Sequence, residues 1–438
     1  MPDTDVLRLR GGNRTQGTIS IRGSKNALPK IMVAAMLTSE PSRIGNVSWI
    51  RDTQIVGEMI EAYGGSARRV GTELAVEVPD LVPPSQDVLG DLNRRSRIPV
   101  LSCGPALHRS GEAFISTPGG CTIGARPVDF HLDVLRSLGV VMTEAEGGLR
   151  LTAPTRLRGA RIELSYPSVG ATEQFLLASC LAEGDSLLTN AAVEPEILDL
   201  IYVLQKMGAL ISVETNRQIT VTGVDRLRGF AHDVIPDRLE AASWASLALA
   251  TDGEITVSGV RQADLATYLN TYRRAGGEFA ASPDGTEISF WRDRSMLRPL
   301  ALETNVHPGF MTDWQSPFVT ALTQADGISV IHETVYEDRT GYVAALEALG
   351  ANVGLFTECL GPTHCRFGRG NHPHSIVVVG PNKLQGTELH VPDLRAGFSY
   401  VVAAAAASGL STISGIDLLD RGYEDFRTKI AAVGIDID

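Results

Sequence analysis

Residues 168–184 read SVGATEQFLLASCLAEG, a polar serine followed by an almost unbroken apolar stretch. A helix that is apolar on nearly every side is predicted to lie buried. A short β-rich stretch follows, and then a second, amphipathic helix, DLIYVLQKM at 199–207, which ends at Gly208. Glycine is favoured at that end because a left-handed helix cap needs a residue without a Cβ. These segments form one unit of buried helix, strand, half-exposed helix and strand.

The same unit occurs six times along the chain. Successive units start 69 to 80 residues apart, and 37 to 42 residues separate each start from its closing glycine. The starts are Lys25, Arg97, Ser168, Asp237, Asp313 and Asp393, and the closing glycines are Gly64, Gly139, Gly208, Gly276, Gly350 and Gly434. Alternating strands such as ITVS at 255–258 are predicted to be half buried. The pattern indicates an α/β protein with sheets outside, helices inside, and units grouped three and three.

Composition limits the class of function. The chain has 438 residues, enough for two or three domains, and a formal net charge of −12. That charge argues against nucleic acid as a partner, since a phosphate backbone requires a basic face. Its apolar stretches are shorter than a membrane helix requires, and its N-terminus lacks a signal-peptide pattern. We therefore expect a cytoplasmic enzyme without a membrane partner, whose five cysteines are free thiols.

The stretch GGCTIGARPVD at 119–129, with Lys25-Asn26, resembles the enolpyruvyl transferase family, and within it the UDP-N-acetylglucosamine 1-carboxyvinyltransferases. Further matching stretches follow in order along the chain: SVGATE at 168–173, EPEI at 194–197, PDR at 236–238, ETVYEDR at 333–339, DLRA at 393–396 and DRGYE at 420–424. The resemblance implies two inside-out α/β barrel domains, each of three repeated units about a pseudo-threefold axis. It implies that residues 1–24 join 236–438 in one domain, that 25–235 form the other, and that a catalytic cleft between them closes on substrate.

The resemblance also implies an addition–elimination reaction that needs no metal and no organic cofactor. The 3′-hydroxyl of the sugar in UDP-N-acetylglucosamine adds to C2 of phosphoenolpyruvate while a proton goes to C3. The resulting tetrahedral intermediate then loses inorganic phosphate. Such chemistry requires a proton donor, a base, and positive charge that holds a carboxylate beside a phosphate.

The resemblance assigns the proton transfers to a cysteine and an aspartate. Cys121 is the acid at C3 and the thiol that fosfomycin alkylates, and the nearby Arg126 favours its thiolate. Asp313 is the base toward the sugar hydroxyl, although an aspartate at a helix start is also a favoured N-cap. For Asp237 and Asp393, at equivalent starts, capping alone suffices as an interpretation. Two further cysteines, Cys103 and Cys180, lie within apolar helices and are interpreted as buried hydrophobic residues.

The remaining implied site residues bind the two substrates. Arginine suits the anion site because its planar guanidinium can bind carboxylate and phosphate bidentately. The anion site comprises Lys25, Arg126 and Arg421, with Arg97, Arg339 and Arg395 around it. The expected contacts to the sugar and the uridine diphosphate are Asn26, Asp313, Arg126, Pro127, Val128, Asp129, Phe130, His131, Ser168, Val169, Gly170, Val335 and Tyr336.

Several departures from the family pattern bear on the acceptor substrate rather than on the chemistry. They are Leu28-Pro29-Lys30, Ile98-Pro99, Tyr166 and Val193. They support an alternative, a paralogue that transfers enolpyruvyl to UMP or a related uridine nucleotide. A more distant alternative is a nucleotide-sugar sensor without activity. Shikimate 3-phosphate is a poor candidate acceptor, because the Gly-Gly-Cys loop belongs to the amino-sugar branch.

One group of residues suggests a metal site by residue type alone. Cysteine and histidine side chains suit zinc, and five of them lie close together in the chain: Cys359, His364, Cys365, His372 and His374. Their spacing fits no common zinc pattern. We therefore predict an irregular loop at this segment and no metal.

Overall fold

The computed structural model describes residues 5–116, 128–153, 155–292, 297–337, 339–363, 365–368, 370–392 and 396–437. The strands are, in chain order, β1 Val6–Gly11, β2 Gln16–Ser20, β3 Ser42–Gly45, β4 Ser66–Val70, β5 Glu73–Glu77, β6 Glu112–Ser116, β7 Val141–Ala145, β8 Gly148–Thr152, β9 Arg161–Glu163, β10 Asp185–Thr189, β11 Leu210–Glu214, β12 Gln218–Thr222, β13 Ala231–Asp233, β14 Glu254–Ser258, β15 Gly277–Ala281, β16 Glu287–Arg292, β17 Ala301–Glu303, β18 Gly327–His332, β19 Asn352–Phe356, β20 Ser375–Gly380, β21 Glu388–His390, β22 Gly409–Ser414 and β23 Asp436–Ile437.

Helices alternate with these strands along the chain. They are α1 Leu28–Ala35, α2 Arg51–Ala62, α3 Gln86–Arg95, α4 Cys103–Ser110, α5 Asp129–Ser137, α6 Val169–Ser179, α7 Pro195–Lys206, α8 Arg238–Ala250, α9 Ala266–Arg274, α10 Thr312–Leu322, α11 Val343–Ala348, α12 Gly397–Ala406, α13 Asp417–Asp420 and α14 Phe426–Ala432. Short 3-10 turns lie at Ile98–Ser102 and Gln262–Leu265. Among the described residues, no helix is both long and apolar enough to cross a bilayer.

The chain divides into two compact units, each with its own hydrophobic core. The first unit comprises residues up to Arg22 together with residues from Pro236 onward, and the second comprises Gly23–Ile235. The described residues of the first unit form three four-stranded sheets, in the orders β21-β22-β1-β23, β15-β16-β14-β2 and β17-β18-β20-β19. Two N-terminal strands complete two of these sheets, since β1 pairs antiparallel with β22 and β2 pairs parallel with β14.

The second unit repeats this design. Its described residues form sheets in the orders β13-β3-β5-β4, β11-β12-β10-β9 and β6-β8-β7. In the two four-stranded sheets an antiparallel hairpin is extended by one antiparallel strand and then by one parallel strand. Three sheets among the described residues of each unit match the six repeats that the sequence shows.

The first helix of each repeat is buried on nearly all sides, as the sequence predicts. In α8 all 13 residues are buried, and α8 packs against both α10 and α12. The aromatic rings of Trp244 and Phe398 meet edge to face in this packing, with centroids 4.9 Å apart. The strand β14 alternates between buried and less buried residues, which confirms the predicted half-buried strand. The prediction of an α/β fold with buried first helices is therefore confirmed.

The glycines that close the second helices adopt the backbone conformation that the sequence predicts. Their φ angles are all positive, from 80° to 105°. The residues are Gly64, Gly139, Gly208, Gly276, Gly350 and Gly434. A side chain at such a φ would bring its Cβ against the following carbonyl oxygen, so glycine ends these helices at low cost.

Candidate active site

Asp313 lies in the first turn of α10 and pairs with Arg339. The N-cap of this helix is Met311, in an extended backbone conformation and without a side-chain cap. The interpretation of Asp313 as a helix cap is therefore wrong. By contrast, the carboxylate of Asp237 does cap α8, accepting hydrogen bonds from the backbone amides of Leu239 at 2.9 Å and Glu240 at 3.0 Å. Two helices with equivalent starts thus use their aspartates differently.

The guanidinium of Arg339 is held from several sides. Its side chain is only 5% exposed, and its Nε donates to the hydroxyl of Thr312 at 3.1 Å. The ring of Tyr336 lies beneath the guanidinium, 5.6 Å from its centroid. Because the cation is fixed by these contacts, it fixes the carboxylate of Asp313 in turn, and that carboxylate stays 29% exposed.

Glu333 is a buried carboxylate beside the Asp313–Arg339 pair, and sequence reasoning assigned it no role. It is fully buried, and its carboxylate accepts hydrogen bonds from the backbone amides of Val335 at 2.8 Å and Tyr336 at 2.9 Å. Its other oxygen accepts from the hydroxyl of Thr312 at 2.9 Å. Burial raises the pKa of Glu333, while Arg339 and these donors oppose the shift. Glu333 thereby shapes the turn that presents Val335 and Tyr336 beside Arg339.

Of the other residues singled out in this unit, the structure describes Arg421 but not Arg395 or Asp393. Arg421 is half buried and ends the short helix α13. Arg395 and Asp393 lie outside the described residues.

In the other unit, Lys25 and Asn26 occupy the turn that leads into α1, and both are half buried. The backbone amide of Asn26 donates to the hydroxyl of Ser24 at 3.2 Å. The backbone carbonyl of Asn26 accepts from the ammonium of Lys30 at 2.7 Å. That same ammonium lies 3.6 Å from the carboxylate of Glu173, so this turn is tied to the helix α6.

The carboxylate of Glu173 is almost completely buried in α6. Burial raises its pKa to about 7, and the nearby Lys30 opposes that rise. The charges of Glu194 and Glu196, also buried, raise it further. Glu173 is a charged residue within an otherwise apolar helix, and that was the signal in the sequence that could have identified it. Sequence reasoning assigned no role to Glu173 or to Lys30.

The predicted nucleotide-binding residues form a second group at the starts of α5 and α6. His131 in α5 lies against Gly170 in α6, where a Cβ on the glycine would be only 2.8 Å from the imidazole Nε2. Ser168 caps α6, its hydroxyl accepting from the backbone amide of Ala171 at 3.4 Å. Burial lowers the pKa of His131 to about 4, so this imidazole is neutral near pH 7.

The neighbouring predicted residues are more open. Val128 and Asp129 are exposed at the start of α5, and Val169 is half buried at the start of α6. Arg97 is exposed, immediately before the 3-10 turn Ile98–Ser102. Cys121, Arg126 and Pro127 lie outside the described residues.

Chemically, the first unit offers a fixed cation beside a partly open carboxylate, and the second offers a turn with a lysine and a neutral imidazole packed on a glycine. A fixed guanidinium can hold an anionic group, and an open carboxylate can accept a proton or a hydrogen bond from a substrate hydroxyl. Because protein groups already hold these residues in place, little reorganisation accompanies binding.

Two relatives with the same enzyme name match this chain over nearly its whole length. The UDP-N-acetylglucosamine 1-carboxyvinyltransferase of Protochlamydia amoebophila (strain UWE25) is 42% identical over 438 residues, which cover 99% of this chain and 94% of that protein. The enzyme of the same name from Chlamydia muridarum (strain MoPn / Nigg) is 40% identical over 436 residues, which cover 98% of each chain.

Solved structures share the fold. The enolpyruvyl transferase NikO from Streptomyces tendae is 26% identical, with a TM-score of 0.85 over 99% of this chain and 98% of that one. An EPSP synthase from Acinetobacter baumannii, 18% identical, has a TM-score of 0.71 over 99% of this chain and 100% of that one, which shows the fold alone. The sequence profile of the family described as EPSP synthase (3-phosphoshikimate 1-carboxyvinyltransferase) matches residues 9–430. Since this match leaves only a few residues at either end, the chain belongs to that family.

Proposed function

We propose that this protein transfers the enolpyruvyl group of phosphoenolpyruvate to the 3′-hydroxyl of UDP-N-acetylglucosamine, with release of inorganic phosphate. The observation that carries the proposal is the 42% identity over nearly the whole chain to a relative named for this activity. In the cytoplasm, this reaction is the first committed step of peptidoglycan precursor synthesis. We further propose that the chain folds into two inside-out α/β barrels, each built from three units about a pseudo-threefold axis.

The geometry around Asp313 suits the first half of the reaction. The sugar hydroxyl donates a hydrogen bond to the partly exposed carboxylate, which accepts its proton as the oxygen bonds to C2 of phosphoenolpyruvate. Arg339 orients that carboxylate through the ion pair. The proton that C3 gains in the same step comes from the thiol of Cys121.

The second half expels phosphate from the tetrahedral intermediate. The C–O bond between C2 and the phosphate oxygen breaks, the thiolate left on Cys121 takes a proton from C3, and the enol ether forms. The proton held by Asp313 goes to the departing phosphate. Positive charge must hold the departing phosphate beside the neighbouring carboxylate, and Lys25, Arg126 and Arg421 supply it. Arg97, Arg339 and Arg395 complete this cation set. His131 and Gly170 bind the uridine nucleotide, and neither substrate requires a metal or a cofactor for this chemistry.

A second acceptor has its own supporting observation. The solved structure of NikO, an enolpyruvyl transferase, shares the fold at a TM-score of 0.85. The departures from the family pattern at residues 28–30 and 98–99 also lie near residues proposed for substrate binding. Transfer to UMP or a related uridine nucleotide is therefore the alternative function. We favour the nucleotide sugar because the full-length identity to the enzymes named for it is much higher.

Phosphate release measured with phosphoenolpyruvate and one acceptor at a time distinguishes these functions. We expect release with UDP-N-acetylglucosamine, and little with UMP or shikimate 3-phosphate. Turnover with UMP alone would establish the alternative acceptor. An absence of release with all three acceptors, from protein that still binds UDP-N-acetylglucosamine in calorimetry, would identify a sensor instead of an enzyme.

A further inference from the structure

Two cysteines and two histidines meet at one end of the inner strands of the sheet β17-β18-β20-β19. His332 ends β18, and His374 directly precedes β20, which pairs with β18 so that His332 lies opposite Ser375. Cys359 and Cys365 belong to the irregular segment between β19 and β20. One candidate ligand atom from each of the four residues lies within 4.8 Å of all the others.

The separations within this cluster suit a tetrahedral ion. The two sulfur atoms are 3.6 Å apart, and Sγ of Cys359 is 3.4 Å from Nε2 of His374. A tetrahedral zinc ion, with Zn–S of about 2.3 Å and Zn–N of about 2.05 Å, separates two sulfurs by about 3.8 Å and a sulfur from a nitrogen by about 3.6 Å. These two separations are therefore within about 0.2 Å of those around a tetrahedral zinc ion, and every other pair of ligand atoms lies within 4.8 Å.

Both imidazoles are oriented by a second partner. Nδ1 of His374 lies 2.8 Å from the backbone carbonyl of His372, which can only accept, so Nδ1 carries the proton and Nε2 has a lone pair. Nδ1 of His332 lies 2.8 Å from the carboxylate of Glu303. Metal-binding histidines usually donate their other ring N–H to a carboxylate or a carbonyl in this way.

The cluster also contains a buried polar atom that the described residues leave without a hydrogen bond. This atom is Nε2 of His332, in a side chain that is only 1% exposed. A buried nitrogen without a partner costs free energy, because it has lost its hydrogen bonds to water. A bound metal ion would remove that cost. The side chain of His374 is fully buried as well, whereas the two cysteines are partly exposed and offer a route of entry.

We propose that His332, Cys359, Cys365 and His374 bind one structural zinc ion. Two thiolates and two imidazoles form a ligand set typical of closed, four-coordinate zinc sites, and they leave no position for a reactive water. The sequence-based prediction of no metal rested on chain spacing, which could not take account of His332 because this residue comes from a separate strand. Among the residues that the sequence singled out, His372 contributes its carbonyl to the cluster, and His364 lies outside the described residues.

The ion would hold the irregular segment against the segment that carries the candidate active-site residues. Arg366, next to Cys365, donates to the backbone carbonyl of Val335 and lies 3.5 Å from the carboxylate of Glu337. The backbone amide of Glu333 donates to the carbonyl of His374 at 2.7 Å. Zinc at this cluster therefore stabilises the turn that presents Val335 and Arg339, without contacting a substrate.

Metal analysis of the purified, reduced protein tests the proposal directly. We expect about one zinc ion per chain by plasma mass spectrometry. The variants Cys359→Ser, Cys365→Ser and His332→Gln should lose most of it. His372→Ala is the matched control, because its backbone carbonyl remains and its ring is not a proposed ligand, so it should keep its zinc. Equal zinc content in Cys359→Ser, Cys365→Ser and the unaltered protein would overturn the proposal.

A second test measures thiol protection in the unaltered protein and so needs no variant that could misfold. With zinc bound, alkylation followed by peptide mapping should leave Cys359 and Cys365 unmodified, and a strong chelator should expose both and lower the melting temperature. Cobalt added to chelated protein should give the intense visible absorption of tetrahedral thiolate coordination. A reduced protein that takes up neither zinc nor cobalt, or whose two thiols react equally with and without zinc, excludes the site.

Discussion

The carboxylate of Asp313 is ion-paired with the buried guanidinium of Arg339 and is itself 29% exposed. The cation is therefore fixed by the protein, while its anionic partner can still be reached by a ligand. Thr312 links this pair to the buried carboxylate of Glu333, since its hydroxyl contacts both Arg339 and Glu333. A substrate hydroxyl that reaches Asp313 thus meets a carboxylate whose position is already set.

The substitution Asp313→Asn should lower kcat by about 100- to 10,000-fold, because an amide cannot accept the hydroxyl proton. The KM for phosphoenolpyruvate should change far less. Steady-state phosphate release with UDP-N-acetylglucosamine measures both. The control is Asp326→Asn, which alters an exposed carboxylate just beyond the same helix and should leave kcat unchanged. An unchanged kcat in Asp313→Asn would remove Asp313 from the proton transfer.

Fosfomycin should label a single cysteine of this protein, Cys121. Burial raises the pKa of Cys103 and of Cys180 to about 12, so neither is a thiolate near neutral pH. Intact-mass spectrometry should show one adduct in the unaltered protein and none in Cys121→Ser. Peptide mapping of the unaltered protein supplies the internal control at Cys103 and Cys180. Persistent labelling of Cys121→Ser contradicts the assignment of the reactive thiol.

The substitution Glu173→Gln should change how stability depends on pH. Burial raises the pKa of Glu173 from 4.5 to about 7, so the folded protein binds this proton more tightly than the unfolded chain does. The stability that this group contributes is therefore present below pH 4.5 and is lost as the pH rises toward 7. Glutamine does not titrate and does not lose that contribution.

Urea unfolding of both proteins across this range gives the measurement. The free energy of unfolding of the unaltered protein should fall relative to that of Glu173→Gln by about 3 kcal/mol between pH 4.5 and pH 7. The exposed carboxylate of Glu214 provides the control, and the difference between Glu214→Gln and the unaltered protein should stay flat. A flat difference for Glu173→Gln as well shows that its carboxylate titrates normally.

The substitution Gly170→Ala should weaken nucleotide binding. The new Cβ would lie 2.8 Å from Nε2 and 3.0 Å from Cε1 of His131, so the imidazole or the start of α6 must move. We expect the KM for UDP-N-acetylglucosamine to rise about tenfold, the equivalent of about 1.4 kcal/mol, with a smaller change in kcat. An unchanged KM in a stable variant excludes this pair from the nucleotide site.

A matched glycine substitution serves as the control for Gly170→Ala. Gly57 lies in α2, and a Cβ there would meet only the Cβ of Ala67, at an ordinary 3.6 Å. Gly57→Ala should therefore leave KM unchanged. It should also raise the free energy of unfolding by about 0.5–1 kcal/mol, because alanine favours the helix interior over glycine.

Some of the candidate site could be predicted from the sequence and some could not. Ser168 was singled out, and the structure shows it at the start of α6. Glu173 received no role, because its raised pKa depends on desolvation and on Lys30, which comes from another helix. Glu333 was missed for the same reason, since its hydrogen bond from Thr312 appears only when two segments fold together.

What the sequence by itself determined is the local pattern: six repeated units, buried first helices, amphipathic second helices and a glycine at each helix end. Such features depend on interactions within a few residues, so periodicity and residue type suffice to predict them. What only the tertiary structure decided is which distant groups meet. The pairing of Asp313 with Arg339 and the gathering of His332 with two cysteines and His374 are examples. These depend on how strands and loops that are far apart in the chain are brought together, and no local pattern encodes that.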